Sequence, residues 1–372
     1  MATIADVVVI GGGLHGLSAS LQLARAGLKV VVYERDWVGR HASGATAAGV
    51  RILNRALPEI PLALESNRMW HRIADMVDDP CSFHADGIIK VAETEEGLAE
   101  LAVRRQKVVA AGYDHEEMIS RDELFNLVPQ LARHCIGGLM VRRDGAADPH
   151  RTVQAFRRAA ERAGVVVREG TEVTAAVREG NTWSISAGGE ACSTAVVINA
   201  AGAWGGHAAR MLGDHIPMHH VTPSMVVTER MAPFLKPVLS VQGRKLSFKQ
   251  SAQGTLLLGG GYQGVSDLES RTGRPVVHGL GAQIRTALDL FPTLETVRIA
   301  RIWVGIEAET ADHLPVIEAS PRSLGVFHAT GFSGHGFQLA PVVGRILTDL
   351  VTTGRTDLPI APFASARLHA AA

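Results

Sequence analysis

An apolar run, Asp6 to Ile10, leads directly into Gly11, Gly13 and Gly16, and eighteen residues beyond Gly16 an acid, Glu34, closes a second apolar run that starts at Lys29. Few local patterns restrict a fold more. Gly11 lets the chain turn tightly out of a strand, Gly13 lets the backbone approach a pyrophosphate, and Gly16 lets the next helix pack on the strand. Leu14 to Ala26 is rich in Ala and Leu and closes at Gly27, so it reads as a helix whose positive end faces those phosphates. Glu34 stands close to the offset of about 20 residues expected of an acid that accepts hydrogen bonds from an adenosine ribose. Strand, glycines, helix, strand and acid in register predict a dinucleotide-binding βαβ unit.

Beyond Glu34, the stretch from Gly39 to Arg51 is built of small residues whose backbone amides can approach a second flat or charged group. A helix is expected over Ile60 to Met76. From Phe83 to Asp144, short strands (Gly87 to Val91) mix with charged helices (Glu96 to Ala111, Arg121 to Leu127), as in an insertion. The α/β pattern then returns, with a helix at Pro149 to Ala163 and strands at Val165 to Arg168, Glu172 to Val177 and Ala195 to Asn199. From Val221 to Val304 the signals are mainly β, with one helix at Leu280 to Phe291. A last strand, Gly325 to Ala329, leads through a glycine-rich turn into a helix ending near Thr352. The fold class expected is α/β (α+β): a Rossmann-like nucleotide domain (1–82, 144–215 and 312–372) interleaved with a substrate domain on a mainly antiparallel sheet (83–143 and 216–311). The Ala-rich tail after Pro362 is expected to fray.

Lys+Arg and Asp+Glu both number 37 with no basic run, which argues against a nucleic-acid partner. No apolar stretch reaches membrane-span length, and the first apolar run is the nucleotide strand and not a removable signal, so a cytoplasmic protein is expected. Cys81, Cys135 and Cys192 are far apart and odd in number, which suits a reducing compartment and offers no CxxC metal site. His219 and His220 are adjacent, hence on opposite faces of a strand, so no metal site is expected.

Four blocks together resemble the D-amino-acid oxidase, glycine oxidase and sarcosine oxidase group of flavoproteins: Gly11 to Gly16 with Glu34 and Arg35, Gly39 to Arg51, Val196 to Trp204, and Gly331 to Gln338. The resemblance covers nearly the whole chain. It implies noncovalent FAD, since no cysteine lies near the Trp303 to Pro315 block. Cofactor contacts are implied at Gly11, Gly13, Leu14, His15, Gly16, Glu34, Arg35, Arg40, His41, Ala42, Ser43, Val173, Ala201, Gly202, Trp204, Gly331, Gly334, His335, Gly336, Phe337 and Gln338. A glycine-rich turn entering a helix directs free N–H groups at its ligand, which suits the negative charge a flavin gains on reduction.

Members of the group oxidise amines by moving a hydride to flavin N5, which requires a neutral amine and a donor set for the substrate carboxylate. In D-amino-acid and glycine oxidases an arginine holds that carboxylate; the aligned residue here is Glu307, and an acid cannot replace a guanidinium fork. Three roles stay open for Glu307: facing a substrate ammonium, facing a cationic arm such as an opine's, or a plain solvated or capping acid. Arg51 is the first candidate for the carboxylate, with Lys249 and Arg244 behind it; Tyr262 and Trp303 are candidate pocket walls, and His335 a candidate contact to the ring. Monomeric sarcosine oxidase carries a lysine where this chain has Gln338, and a second where it has Thr255 to Gly259. Loss of both cations favours a dehydrogenase, passing electrons to a partner or quinone, over an oxidase. The substrate class expected is a small amino acid or secondary amine: glycine, sarcosine, a D-proline or D-hydroxyproline type, or an opine. Hetero-oligomeric electron-transfer subunits are possible partners. The alternatives are an FAD-holding electron-transfer or assembly subunit without turnover, and an NAD-using hydroxyacid dehydrogenase, which the lack of a second βαβ half disfavours.

Overall fold

The computed structural model describes residues 3–369. Its nucleotide side is a six-stranded sheet ordered Val316–Ala319, Val326–Thr330, Val196–Asn199, Val7–Ile10, Val30–Tyr33, Val166–Arg168; all neighbours run parallel except the first pair. The central strands are apolar on both faces, and the alternation of side chains assigns each face a partner. Val7, Val9, Val30 and Val32 join the helix-side core, with Leu17 and Leu21 of the first helix (Leu14–Arg25) and Val343 and Leu347 of the last long helix (Gly336–Thr353). Val8, Ile10, Val31 and Tyr33 face the other way, onto Trp183, Ile185 and Cys192. Those residues belong to a four-stranded sheet of Thr3–Ile4, Glu190–Thr194, Thr182–Ala187 and Val173–Glu179.

A second large sheet has eight strands in the order Ile299–Val304, Ser224–Arg230, Thr255–Gly259, Arg244–Gln250, Val238–Val241, Ile88–Ala92, Gly137–Val141, Glu117–Ile119. Val238–Val241 runs parallel to Ile88–Ala92, and the other neighbours are antiparallel. One face buries Ile89, Leu239, Phe248 and Leu258 against Leu280, Leu290 and Phe291 of the helical side. Alternate residues, including Ile88, Lys90, Ser240 and Ser247, turn to the other face and meet the cavity described below.

Several expected elements change. The helix expected over Ile60 to Met76 is two, Ile60–Trp70 and Ile73–Val77, broken at His71 and Arg72. The hairpin at Thr182–Ala187 and Glu190–Thr194 was not expected, although left-handed Gly180, Gly188 and Gly189 mark its turns. The tail does not fray as far as His369: it folds into 3₁₀ turns that bury Phe363 and Leu368.

Candidate active site

A cavity of about 730 Å³ runs from the first glycine turn, past the Gly331–Gly336 turn, to the inner face of the eight-stranded sheet. At its nucleotide end, Gly11 has φ +110°, and a Cβ there would lie 2.4 Å from the Ala200 carbonyl oxygen. Gly16 is closed in the same way, since its Cβ would sit 2.0 Å from the Gly11 oxygen. The first helix begins at Gly13 with no side-chain cap, so its amides face the cavity, and Ser43 Oγ accepts from the Leu14 N–H at 2.9 Å. Glu34 is held at both oxygens, accepting from Gly12 N–H at 2.7 Å and Asp36 N–H at 2.8 Å. Arg35 lies over the Trp204 ring at 4.0 Å, and His41 packs at 4.6 Å from the same ring. A hairpin tip adds Arg271, paired to Asp36 at 3.0 Å, and the Leu268 oxygen, which accepts from Trp204 Nε1.

The two ends of the chain meet in this cavity. His15 of the first helix stacks on Phe332 of the last turn, with centroids 3.7 Å apart and planes 8° from parallel. Neither ring nitrogen of His15 has a partner, and burial pushes the ring down to about 3, so it is neutral. Close by, Arg55 and Glu59, both 2 % exposed or less, pair at 3.5 Å. Arg55 also donates to the His335 oxygen and to Gln338 Oε1, each at 3.2 Å, while His335 Nδ1 meets Glu59 Oε1 at 3.0 Å. One atom of each partner, Arg55 Nη1 and Glu59 Oε2, has no hydrogen bond within the protein. Burial and then Arg51 lower Arg55 to about 9; burial opposes ionisation of Glu59, but His335 and Arg55 more than offset it and hold the carboxyl below its ordinary value. Burial, then Arg55, pushes His335 down to about 4, so this histidine is neutral and a poor base at neutral pH.

Of the residues the sequence pointed to, Gly11, Gly13, Leu14, His15, Glu34, Arg35, Arg40, His41, Ala42, Ser43, Val173, Ala201, Gly202 and Trp204 all line this cavity. So do Gly331, Gly334, His335, Gly336, Phe337, Arg51, Arg244 and Glu307. Tyr262 is not brought there: it packs toward Gly279, beneath the helix Val277–Leu290. Trp303 turns to donate to the Ala45 oxygen, and Lys249 is buried with its Nζ on the Ala147 oxygen. Gln338 turns away from the cavity into the helix packing, where it donates to the Ala63 oxygen and accepts from Arg55. The space expected beside it without a cation therefore holds the Arg55 guanidinium. Arg244 is neutralised by Glu93 and Asp289, both at 2.7 Å. Arg51 donates to the Leu53 and Asn54 oxygens. Its loop is fixed by Asp144, a buried carboxyl raised to about 7 by desolvation, which accepts from Ile52 and Leu53 N–H. Arg55, Glu59, Asp144 and Lys90 were missed; the Arg55–Glu59 spacing of four on the approach to a helix was the available signal.

A profile of FAD dependent oxidoreductases matches residues 6–350. The chain belongs to that family. Among relatives of this FAD-dependent oxidoreductase, glycine oxidase of Geobacillus kaustophilus is 26% identical over 372 residues, 97% of each chain. An opine oxidase subunit from Agrobacterium tumefaciens is 27% identical over 380 residues, 98% of each. The crystal structure of L-proline dehydrogenase from P. horikoshii superposes with a TM-score of 0.92 at 25% identity, covering 100% of this chain and 99% of that one. The cofactor of this oxidoreductase is FAD, and the residues present fit it: a glycine turn where a Cβ would collide, an uncapped helix start, and buried polar atoms of His15 and Arg55 without protein partners all border one cavity. Among the described residues no cluster of three metal-ligating side chains occurs, and no helix is long and apolar enough to cross a membrane.

Proposed function

We propose that this FAD-dependent oxidoreductase oxidises an amino acid or N-substituted amino acid at its C–N bond to the imine, and passes the electrons to a partner or quinone more readily than to oxygen. The observation that carries the reading is the single cavity joining the nucleotide turn to the inner face of the eight-stranded sheet, where Lys90 stands with Arg51 of the loop after Val50 beside it. Glycine, an opine and L-proline, named in its relatives, are all small amines bearing a carboxylate. In this reading 1–82, 144–215 and 312–372 hold FAD, while 83–143 and 216–311 receive the substrate. Every strand of the six-stranded sheet falls in the first set and every strand of the eight-stranded sheet in the second.

The residue roles follow from the chemistry each position offers. The amides of Gly13 to His15 and Ser43 suit the pyrophosphate, with Gly16 outside the cavity lining and packed against Gly11, Glu34 with Val173 suits the adenosine, and the Gly331–Phe337 turn the flavin. FAD, when bound, supplies the acceptor for the two electrons of the C–H bond. Arg51 and Lys90 bind the substrate carboxylate; burial and then the Arg51 charge lower the Lys90 amine, and Lys90 enters no ion pair among the described residues. His335, neutral and donating Nδ1–H to Glu59, orients the turn and takes no proton from the substrate. The opine oxidase relative is by its name one part of an assembly, and a heteromeric electron-transfer complex is proposed for this chain as well.

Anaerobic mixing with glycine, sarcosine, proline and hydroxyproline of both hands, and an opine tests the function. At least one is expected to bleach the flavin absorbance, with reoxidation faster by a redox dye than by air. A yellow protein that no amine of the panel bleaches overturns the reading in favour of a non-catalytic role in electron transfer or assembly.

A further inference from the structure

The acids on the cavity wall are Glu34, Glu172, Glu307 and Glu309. Glu34 is spent on two backbone amides, Glu172 meets Arg35 at 3.6 Å, and Glu309 holds His219 at 3.1 Å and His313 at 2.9 Å. Glu307 enters no ion pair among the described residues. Its place is nevertheless rigid. Glu307–Glu309 pairs with His219–Val221, and the same strand is stitched to the flavin-side turn by a bridge between Glu309 and Phe332, by Ser333 N–H donating to the Ala308 oxygen at 3.0 Å, and by Thr310 N–H donating to Ser333 Oγ. Glu307 and Glu309 line the cavity, with buried Ala308 between them. A Cβ at Gly334 would lie 3.7 Å from Glu307 Oε1, which places this carboxylate one residue from His335.

A carboxylate fixed beside the Gly331–Gly336 turn, in a cavity that also carries Arg51 and Lys90, complements a zwitterion. We propose that Glu307 receives the ammonium group of the substrate and takes its proton, making the enzyme selective for amines that arrive protonated. The inference rests on the amine-oxidation reading above. In this step an N–H bond of the ammonium breaks and an O–H bond forms on Glu307, with no change of oxidation state. The neutral amine is the form whose carbon could lose hydride, for which FAD, when bound, would supply the acceptor, and Glu307 releases its proton to water when product leaves. Burial, then the charge of Glu309, raises the Glu307 carboxyl to about 7 against the opposing Gly334 amide, which suits a base working near neutral pH. The other titratable groups on the elements packed against it are Glu309 on its own strand, His219 and His220 on the partner strand, and His335 on the turn.

Two unreactive probes of equal shape test this on the holoenzyme: glycine betaine, with a permanent positive charge on nitrogen, and 3,3-dimethylbutanoate, which keeps the carboxylate but has an uncharged carbon in place of that nitrogen. Dissociation constants come from perturbation of the flavin spectrum. The wild-type protein is expected to prefer betaine, and Glu307→Gln to lose about tenfold of that preference, the worth of one charge-paired contact. Glu307→Asp is expected to retain part of it. In the wild-type protein the preference should fade as pH drops below about 7, because neither probe has a titrating nitrogen. An unchanged ratio in Glu307→Gln, or a wild-type ratio independent of pH, overturns the assignment. If instead no amine bleaches the wild-type flavin, the functional reading fails by itself, whatever the ratio.

Discussion

Replacing His15 with Phe is expected to remove a calculable part of the protein's acid sensitivity. The imidazole lies flat on Phe332 with both nitrogens buried and unpartnered, and desolvation lowers it from 6.5 to about 3. A base whose folded value is depressed costs nothing at high pH. As pH falls below 6.5 the unfolded chain binds the proton first, so stability drops until the folded value is reached. At pH 5, 1.5 units below the unfolded value, the loss relative to pH 8 is 1.36 kcal/mol per unit over that interval, or about 2 kcal/mol. His335, also depressed, contributes in both proteins and cancels in their difference. Phe keeps the stack and cannot titrate. Urea unfolding of wild type and His15→Phe at pH 5 and pH 8 should therefore show a difference that shifts by about 2 kcal/mol in favour of the variant at pH 5. In ¹³C-histidine spectra, the resonance absent from the variant should not titrate above pH 5. A difference constant to within about 0.5 kcal/mol, or a resonance titrating near 6.5, refutes the claim that this ring is held neutral by burial.

Gly16→Ala places a Cβ 2.0 Å from the Gly11 oxygen, a backbone atom that cannot swing aside. The strand and helix must separate at a cost of about 1–3 kcal/mol, and FAD retained through purification, read from the 450 nm to 280 nm absorbance ratio, should fall roughly tenfold or more; full retention refutes it. Glu59→Gln leaves Arg55 buried without its counter-charge at 3.5 Å, a loss of about 3–5 kcal/mol in chemical denaturation. The double change Arg55→Met with Glu59→Leu should cost clearly less than the single one, and equal costs contradict the ion pair.

The nucleotide turn was legible in the sequence because glycine positions there answer to hard sterics: the neighbours of Gly11 and Gly16 are backbone oxygens that exclude any side chain. The helix Arg121–Leu127 and the strand Thr255–Gly259 were legible to the residue, since the pattern of each carries its own ends, with Ser120 as an N-cap. The hairpin of Thr182–Thr194 escaped although Thr182–Ala187 alternates cleanly, because beyond Trp183 and Ile185 its inward residues, Ala187, Cys192 and Thr194, are small or polar and announce no buried face. Tyr262 was misplaced for the opposite reason: an aromatic beside a strand fits a helix-packed wall and a pocket wall equally well. The parallel pairing of Val238–Val241 with Ile88–Ala92 joins segments about 150 residues apart, and no local period encodes it.

The cluster at Gln338 bears on where the electrons go. In the sequence alone, Gln338 in place of a lysine implied no positive charge at the start of the last long helix. The structure brings one from a distant segment, since Arg55 bonds Gln338 Oε1 at 3.2 Å. This arginine stays charged near neutral pH even though burial lowers it to about 9, so the premise of a bare site fails. Its charge is nevertheless not free. Glu59 lies 3.5 Å away, equally buried and held in its ionised form, so the two nearly cancel beyond a few ångströms. Oxygen as an acceptor draws most on an uncompensated cation at the ring, because negative charge develops on it as electrons arrive. A compensated pair offers far less of that stabilisation. The proposed preference for an acceptor other than oxygen therefore rests on the pairing of Arg55 with Glu59, not on a missing cation, and uncoupling the pair by Glu59→Gln is the change that should speed reoxidation by air relative to a dye.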